Sequence, residues 1–224
     1  MKKRTGWMVL TVLMIGIMVI SCEKQSGQAP AGGGQDVQRP DPAPAAQETP
    51  APEAAEATTT AAKKSVHDFA LNDIDGQPVE LDKYKGQVLL LVNVASECGY
   101  TKQYSGMVEL HDKYKDRQFA VLGFPANNFG AQEPKTNAEI KLFCSTDYNV
   151  QFPMFSKISV KGDDIHPLYA YLTDEETNAP YGGDIKWNFH KFLVDQDGNV
   201  IGRYESKVEP MSDELTAAIE TALN

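Results

Sequence analysis

A free cysteine placed where a strand gives way to a helix can be held as a thiolate, and Cys98 stands in such a place. It lies near the end of the stretch from Val88 to Thr101 (VLLLVNVASECGYT), whose β-branched apolar run, preceded by Gly86, reads as a strand buried on both faces. From Lys102 to Tyr114 the spacing changes, with Met107, Leu110 and Tyr114 on one helical face. Orphan N–H groups and the dipole at a helix start favour an anion, which lowers a thiol pKa and yields a nucleophile. A buried cysteine that packs as a small apolar side chain is the competing reading. This stretch alone leaves both open.

The elements that must hold Cys98 follow from the surrounding pattern. Asp68 to Leu71 and Pro78 to Leu81 flank a turn at Asp75-Gly76 and predict an N-terminal β-hairpin. Phe119 to Phe124 predicts a second buried strand, stopped by Pro125 and followed by a polar loop to Pro134. Helices are expected from Asn137 to Phe143, from His166 to Leu172, and from Ser212 to Leu223, the last with Ser212 as N-cap and an acidic first turn. A short strand is expected at Lys157 to Val160, and Lys191 to Asp195 and Asn199 to Tyr204 form a second hairpin around Gly198. Strand–helix–strand, then helix, hairpin and helix, is the element order of a thioredoxin-like α/β fold, a central mixed β-sheet flanked by helices. The right-handed crossover rule sets the two buried strands side by side and parallel. Cys98 then lies at the carboxyl end of a strand, where open α/β sheets bind ligands.

The chain has 224 residues, 42% of them apolar, and a formal charge of −10, which argues against nucleic acid or an anionic membrane surface as an electrostatic partner. Lys2, Lys3 and Arg4 precede an apolar run from Trp7 to Ile20 that has the length of a secretory h-region. The run closes on Val19-Ile20-Ser21-Cys22, which resembles the lipobox of bacterial lipoproteins. That resemblance implies a signal peptide over residues 1–21 and a lipid on Cys22, hence an extracytoplasmic protein held at a bacterial membrane. Residues 22–62 are rich in Ala, Pro, Gly and Gln without apolar periodicity, so they are expected to form a disordered tether. As a flexible chain of about 40 residues it spans roughly 35 Å r.m.s.. The folded domain is expected over residues 63–224.

Three segments carry the functional reading: Asn93 to Thr101 (NVASECGYT), Leu122 to Pro134 (LGFPANNFGAQEP) and Lys186 to Asp195 (KWNFHKFLVD). In order and spacing they resemble the signature segments of the glutathione peroxidase family, and the likeness runs from near Val66 to the C-terminus. The resemblance implies a thioredoxin-like fold and a peroxidase. It makes Cys98 the peroxidatic residue, with Gln132, Trp187 and Asn188 at the remaining catalytic positions. The chemistry suits those types, because amide and indole N–H groups donate hydrogen bonds while staying neutral. Aimed at one point they favour the thiolate and the departing oxygen without reorganising. His190 lies inside the third segment without an implied role and is expected to be a solvated strand residue. Asn93 is expected to support the cysteine turn. His67, His111 and His166 are scattered and suggest no metal site, and the implied chemistry needs no cofactor beyond thiols.

Oxidised Cys98 would be a sulfenic acid that a second thiol can resolve. Cys144 matches the resolving cysteine of family members that lack selenium and use thioredoxin. A disulfide needs the two Cα atoms within about 7 Å, so the helix from Asn137 to Asp147 is expected to unwind in part. Two departures from the family pattern stand out. Glu97 occupies a place often held by Lys, and pointing inward it would raise the Cys98 pKa. Ala126 replaces a cysteine common there, leaving Cys144 as the sole resolver. The segment between Leu172 and Trp187 lacks the insertion of tetrameric members, which implies a monomer with an open site for bulky or lipid hydroperoxides. The implied reductant is a thioredoxin-like protein or glutathione. The rival readings are a peroxide-sensing relay acting through Cys144, a thioredoxin-type disulfide oxidoreductase, and a copper-delivery module. The second would want a cysteine at Thr101, and the third one at Lys102.

Overall fold

The computed structural model describes residues 64–224, so the expected signal peptide, Cys22 and the whole of the expected tether lie outside the described residues. Ten regular elements follow in order: β1 (Ala70–Asn72), β2 (Pro78–Glu80), β3 (Val88–Val94), α1 (Gln103–Tyr114), β4 (Phe119–Pro125), α2 (Asn137–Tyr148), α3 (Pro167–Thr173), β5 (Lys191–Val194), β6 (Val200–Tyr204) and α4 (Asp213–Ala222). β1 and β2 form the expected hairpin, with Asp73 Oδ1 accepting from the N–H groups of Asp75 and Gln77, both at 2.9 Å, to shape the turn.

The main sheet has the order β4-β3-β5-β6, parallel between β3 and β4 and antiparallel elsewhere. Every residue of β3 and of β4 is buried, as sequences apolar but for Asn93 require. Alternate side chains of β3 feed two cores. Leu89 and Leu91 join Leu122, Phe124 and Phe192, with Leu168 and Leu172 of α3. Leu90, Val92 and Val94 join Met107 and Leu110 of α1, Ile140 of α2, and Leu215 and Ile219 of α4. Helices thus cover both faces, as the thioredoxin-like reading expects.

One expected strand is absent. Lys157 to Val160 joins no ladder: the Lys157 N–H donates to Asn137 Oδ1 at the start of α2, Ile158 to the Pro125 carbonyl at the end of β4, and Val160 to Asn128 Oδ1 in the loop between them. Two side chains and one carbonyl remote in sequence satisfy this backbone, which local alternation cannot register.

Candidate active site

Cys98 lies in the loop between β3 and α1, 8% exposed, with its backbone held by Thr101. The Cys98 N–H donates to Thr101 Oγ1 at 3.0 Å, and that hydroxyl donates to the Ala95 carbonyl at 2.9 Å. The Thr101 N–H returns to the Cys98 carbonyl at 3.0 Å. This small box leaves the Tyr100 N–H aimed at Cys98 Sγ, 3.4 Å away. The sulfur therefore carries a backbone donor and lies just ahead of the start of α1.

The loop after β4 carries Gln132. Gly130 (φ +62°) and Ala131 (φ +52°) both take the left-handed conformation and turn the chain back towards the cysteine. There the Gln132 carbonyl accepts from the Glu97 N–H at 3.0 Å. The next residue, Glu133, is fully buried and accepts from the Ser96 N–H at 2.8 Å, with Ser96 Oγ 2.9 Å from both carboxylate oxygens. Burial pushes the Glu133 carboxyl up, and the Ser96 bonds oppose it. The cysteine turn and the glutamine loop are therefore stitched together at two consecutive residues.

The third loop, ahead of β5, brings Trp187 and Asn188. Asn188 is fully buried, and its Nδ2 donates to Gln132 Oε1 at 3.1 Å. The Asn188 Oδ1 has no partner among the described residues. The Trp187 indole, 38% exposed, rests on Phe129 with ring centroids 5.9 Å apart. A Cβ added at Gly130 would sit 3.6 Å from the edge of that indole and 3.5 Å from the Gln132 side chain. Gln132, Trp187 and Asn188 thus share one patch, and Gln132 links the patch to the turn that carries Cys98. Beside Trp187 a cleft of about 320 Å³ opens, with Tyr100, Lys186 and Lys207 among its walls.

Two expectations about neighbouring residues need correction, and the condition set on Glu97 is not met. His190 is not solvated: it is 2% exposed, and its Nε2 accepts from Arg203 Nε at 2.8 Å. Burial, with Arg203 and Lys191 nearby, lowers its pKa to about 4, so the ring is neutral. Asn93 serves the third loop rather than the cysteine turn. Its Nδ2 donates to the Trp187 carbonyl at 3.2 Å, and its Oδ1 accepts from the His190 N–H at 3.1 Å. Glu97 points to solvent and pairs with Lys135 at 2.7 Å, so it is charge-compensated rather than pressed on the thiol.

Cys144 lies inside α2, 2% exposed, in the same apolar core as Cys98, and both thiols are free. Burial pushes the Cys144 thiol up to about 11. The buried Tyr104 hydroxyl lies close enough to lower it somewhat, without a hydrogen bond of normal geometry, and Glu133 and Asp147 raise it. Sequence reasoning missed Glu133, although it stands next to Gln132 in a quoted segment. A carboxylate in a polar loop reads as solvated unless its distant partner is known.

A family model for glutathione peroxidase matches residues 66–173. A hydroperoxy fatty acid reductase of Synechocystis is 48% identical over 170 residues, covering 74% of this chain and 99% of that protein. A probable phospholipid hydroperoxide glutathione peroxidase of Citrus sinensis is 47% identical over 163 residues, covering 71% of this chain and 97% of the relative. Among solved structures, apo Trgpx superposes with a TM-score of 0.57 at 39% identity, over 71% of this chain and 96% of that one. A thioredoxin-family thiol:disulfide interchange protein from Chlorobium tepidum, 17% identical with a TM-score of 0.52 over 72% of this chain and 97% of its own, shares the fold.

Proposed function

The chain belongs to the glutathione peroxidase family and is a thiol-dependent peroxidase, and we propose that Cys98 is its peroxidatic residue. The Cys98 thiolate attacks one peroxide oxygen, the O–O bond breaks, and the other oxygen leaves as an alcohol or water after taking a proton. Cys98 is left as a sulfenic acid. The single observation that carries this reading is the shared patch of Gln132 and Asn188, bonded at 3.1 Å, which is tied to the cysteine turn through the Glu97 N–H. Uncharged donors gathered in one place, with Asn188 fully buried, can stabilise charge developing on oxygen. Trp187 supplies the third donor.

In the second half of the cycle Cys144 attacks the sulfenic acid, forming a Cys98–Cys144 disulfide and releasing water. α2 must yield for this, and only Ile140 and Cys144 of its twelve residues are buried. A thioredoxin-like dithiol or glutathione then reduces the disulfide. The domain acts as a monomer. The cleft beside Trp187 is where the reacting end of a hydroperoxide would enter, lipid hydroperoxides included. The names of two relatives, which refer to hydroperoxy fatty acids and phospholipid hydroperoxides, support that substrate class. A signal peptide ending at Ser21 and a lipid on Cys22 would keep the domain at a membrane where such substrates form.

Peroxidase assays with thioredoxin and glutathione systems side by side test the cycle. Cys98→Ser should abolish turnover. Cys144→Ser should allow one peroxide per chain and then drive Cys98 to sulfinic acid. Full steady-state turnover by Cys98→Ser overturns the assignment, and membrane retention of Cys22→Ser overturns the anchor.

A further inference from the structure

Lys191 is fully buried in β5, an unusual place for an ammonium group, and no carboxylate among the described residues pairs with it. Its Nζ donates to two acceptors at 2.8 Å each, the Phe189 carbonyl and Gln103 Oε1. Both acceptors lie at sensitive places. Phe189 directly follows Asn188 and sits at φ +62°, a conformation that bulky L residues rarely adopt. Gln103 is the first residue of α1, the helix that follows Cys98, and its own Nε2 donates to the Ser206 carbonyl at 2.7 Å. The Phe189 ring meets Tyr104 edge-on at 5.5 Å, so the same strained residue also packs on α1.

We propose that Lys191 is a positioning residue of the peroxidatic site, whose amino group fastens the Trp187–Asn188 loop to the helix that carries the Cys98 turn. The proposal rests on the peroxidase reading above and adds to it a residue that does not itself touch peroxide. Apolar side chains could pack this interface without desolvating an amine. What they could not do is hold a strained carbonyl and a helix start at fixed separation. Burial lowers the Lys191 pKa to about 7, with Glu209 opposing the shift. The neutral amine still offers two N–H donors for the two acceptors, so the tie outlasts deprotonation.

The test compares two reactions of Cys98 in the full chain: single-turnover reduction of hydrogen peroxide, and alkylation by iodoacetamide followed on the Cys98 peptide. Both need the thiolate, but only the first uses the Trp187 and Asn188 donors, so their ratio isolates the loop. Lys191→Met and Gln103→Leu are each expected to lower the ratio about tenfold, and the double variant no further than the worse single one. Gln103→Glu, which keeps the acceptor, should hold the ratio near wild type. In a Trp7→Phe background, where Trp187 is the remaining indole, Lys191→Met should shift the emission while Gln103→Glu should not. A ratio unchanged within about twofold in both single variants, or fully multiplicative losses in the double one, overturns the proposal. Should Lys191→Met fail to fold, Gln103→Leu against Gln103→Glu decides. A wild-type chain inert towards peroxide would sink the peroxidase reading instead, and the Trp187 emission would then decide whether the tie exists.

Discussion

Glu133 gives the sharpest test of how the cysteine turn is held, because its charge and its hydrogen bonding can be separated by substitution. The carboxylate is fully buried and accepts from the Ser96 N–H at 2.8 Å. Burial raises its folded-state pKa above the unfolded value. The folded chain therefore holds this proton more tightly than the unfolded chain. The stabilising contribution of the group is complete below the unfolded pKa of about 4.3 and is lost as pH rises through the folded pKa. At pH 7 the charge itself is a liability, and the bonds from Ser96 are what the site gains. Glu133→Gln removes the charge and keeps an acceptor, so its Tm at pH 7 should match or exceed wild type. Glu133→Ala strands the buried Ser96 N–H, which costs about 1–3 kcal/mol, or about 2–12 °C in Tm for a domain of this size. The glutamine loop should loosen with it, lowering kcat/KM by about tenfold or more, whereas Glu133→Gln should stay within about threefold. Thermal unfolding from pH 4 to 8, paired with peroxide turnover, reads both effects. If Glu133→Gln costs as much as Glu133→Ala at pH 7, the charge and not the acceptor holds the loop, and the reasoning fails.

Asn188→Ala removes a buried donor from Gln132 together with an oxygen that has no partner among the described residues. Stability should change by about 1 kcal/mol or less while kcat/KM falls by about 10²–10³; undiminished turnover would remove Asn188 from the site. His190 has a folded pKa of about 4, below its unfolded value of about 6.5, so its stabilising contribution is present above 6.5 and is lost as pH falls towards 4. Urea unfolding should show wild type losing about 2 kcal/mol more than His190→Gln between pH 7 and 5; parallel profiles would refute the assignment. Asn149 closes α2 in the left-handed region at φ +54°, where a side chain without a local hydrogen bond costs about 1–2 kcal/mol. Asn149→Ala should therefore weaken the last turn of α2 and shorten the sulfenic acid lifetime on Cys98 about fivefold or more, measured by trapping with dimedone. An unchanged lifetime would mean that α2 release does not limit disulfide formation.

The fold was legible wherever a single segment carried its own pattern. β3 and β4 announce themselves as apolar runs interrupted by a polar side chain only at Asn93, and Ser212 caps α4 through the Leu215 N–H as its residue type suggests. The failures share one cause, which is partners remote in sequence. His190 reads as solvated until Arg203, thirteen residues on, supplies the donor that lets a neutral imidazole be buried. For Glu97 the sequence left the orientation open, and it is Lys135 in the next loop that pairs with it at the surface. Glu133 and Lys191, two charged residues with no exposed surface, resemble ordinary solvated side chains in the sequence. Hydrophobic periodicity finds where a chain hides its apolar surface. It carries no record of which few polar groups are hidden with it.

The burial of Cys144 orders the proposed cycle as well as packing α2. With its pKa pushed up to about 11, this thiol is ionised to only about one part in ten thousand at neutral pH. An exposed thiol of pKa about 8.5 reaches a few per cent, roughly 300-fold more. A closed α2 therefore holds the second thiol unreactive while peroxide reacts at Cys98. Its hold is slender, because Ile140 is its one other buried side chain, and the Cys144 carbonyl itself accepts the N–H groups of Asn149 and Val150 that close the helix. Unwinding that last turn frees Cys144 from the bonds on its own carbonyl and admits the water that lets its thiol ionise. A thiol ionised before release would gain nothing by moving. One silenced by burial gains nucleophilicity and reach in the same step, so in this scheme the resolving reaction waits for the helix to yield.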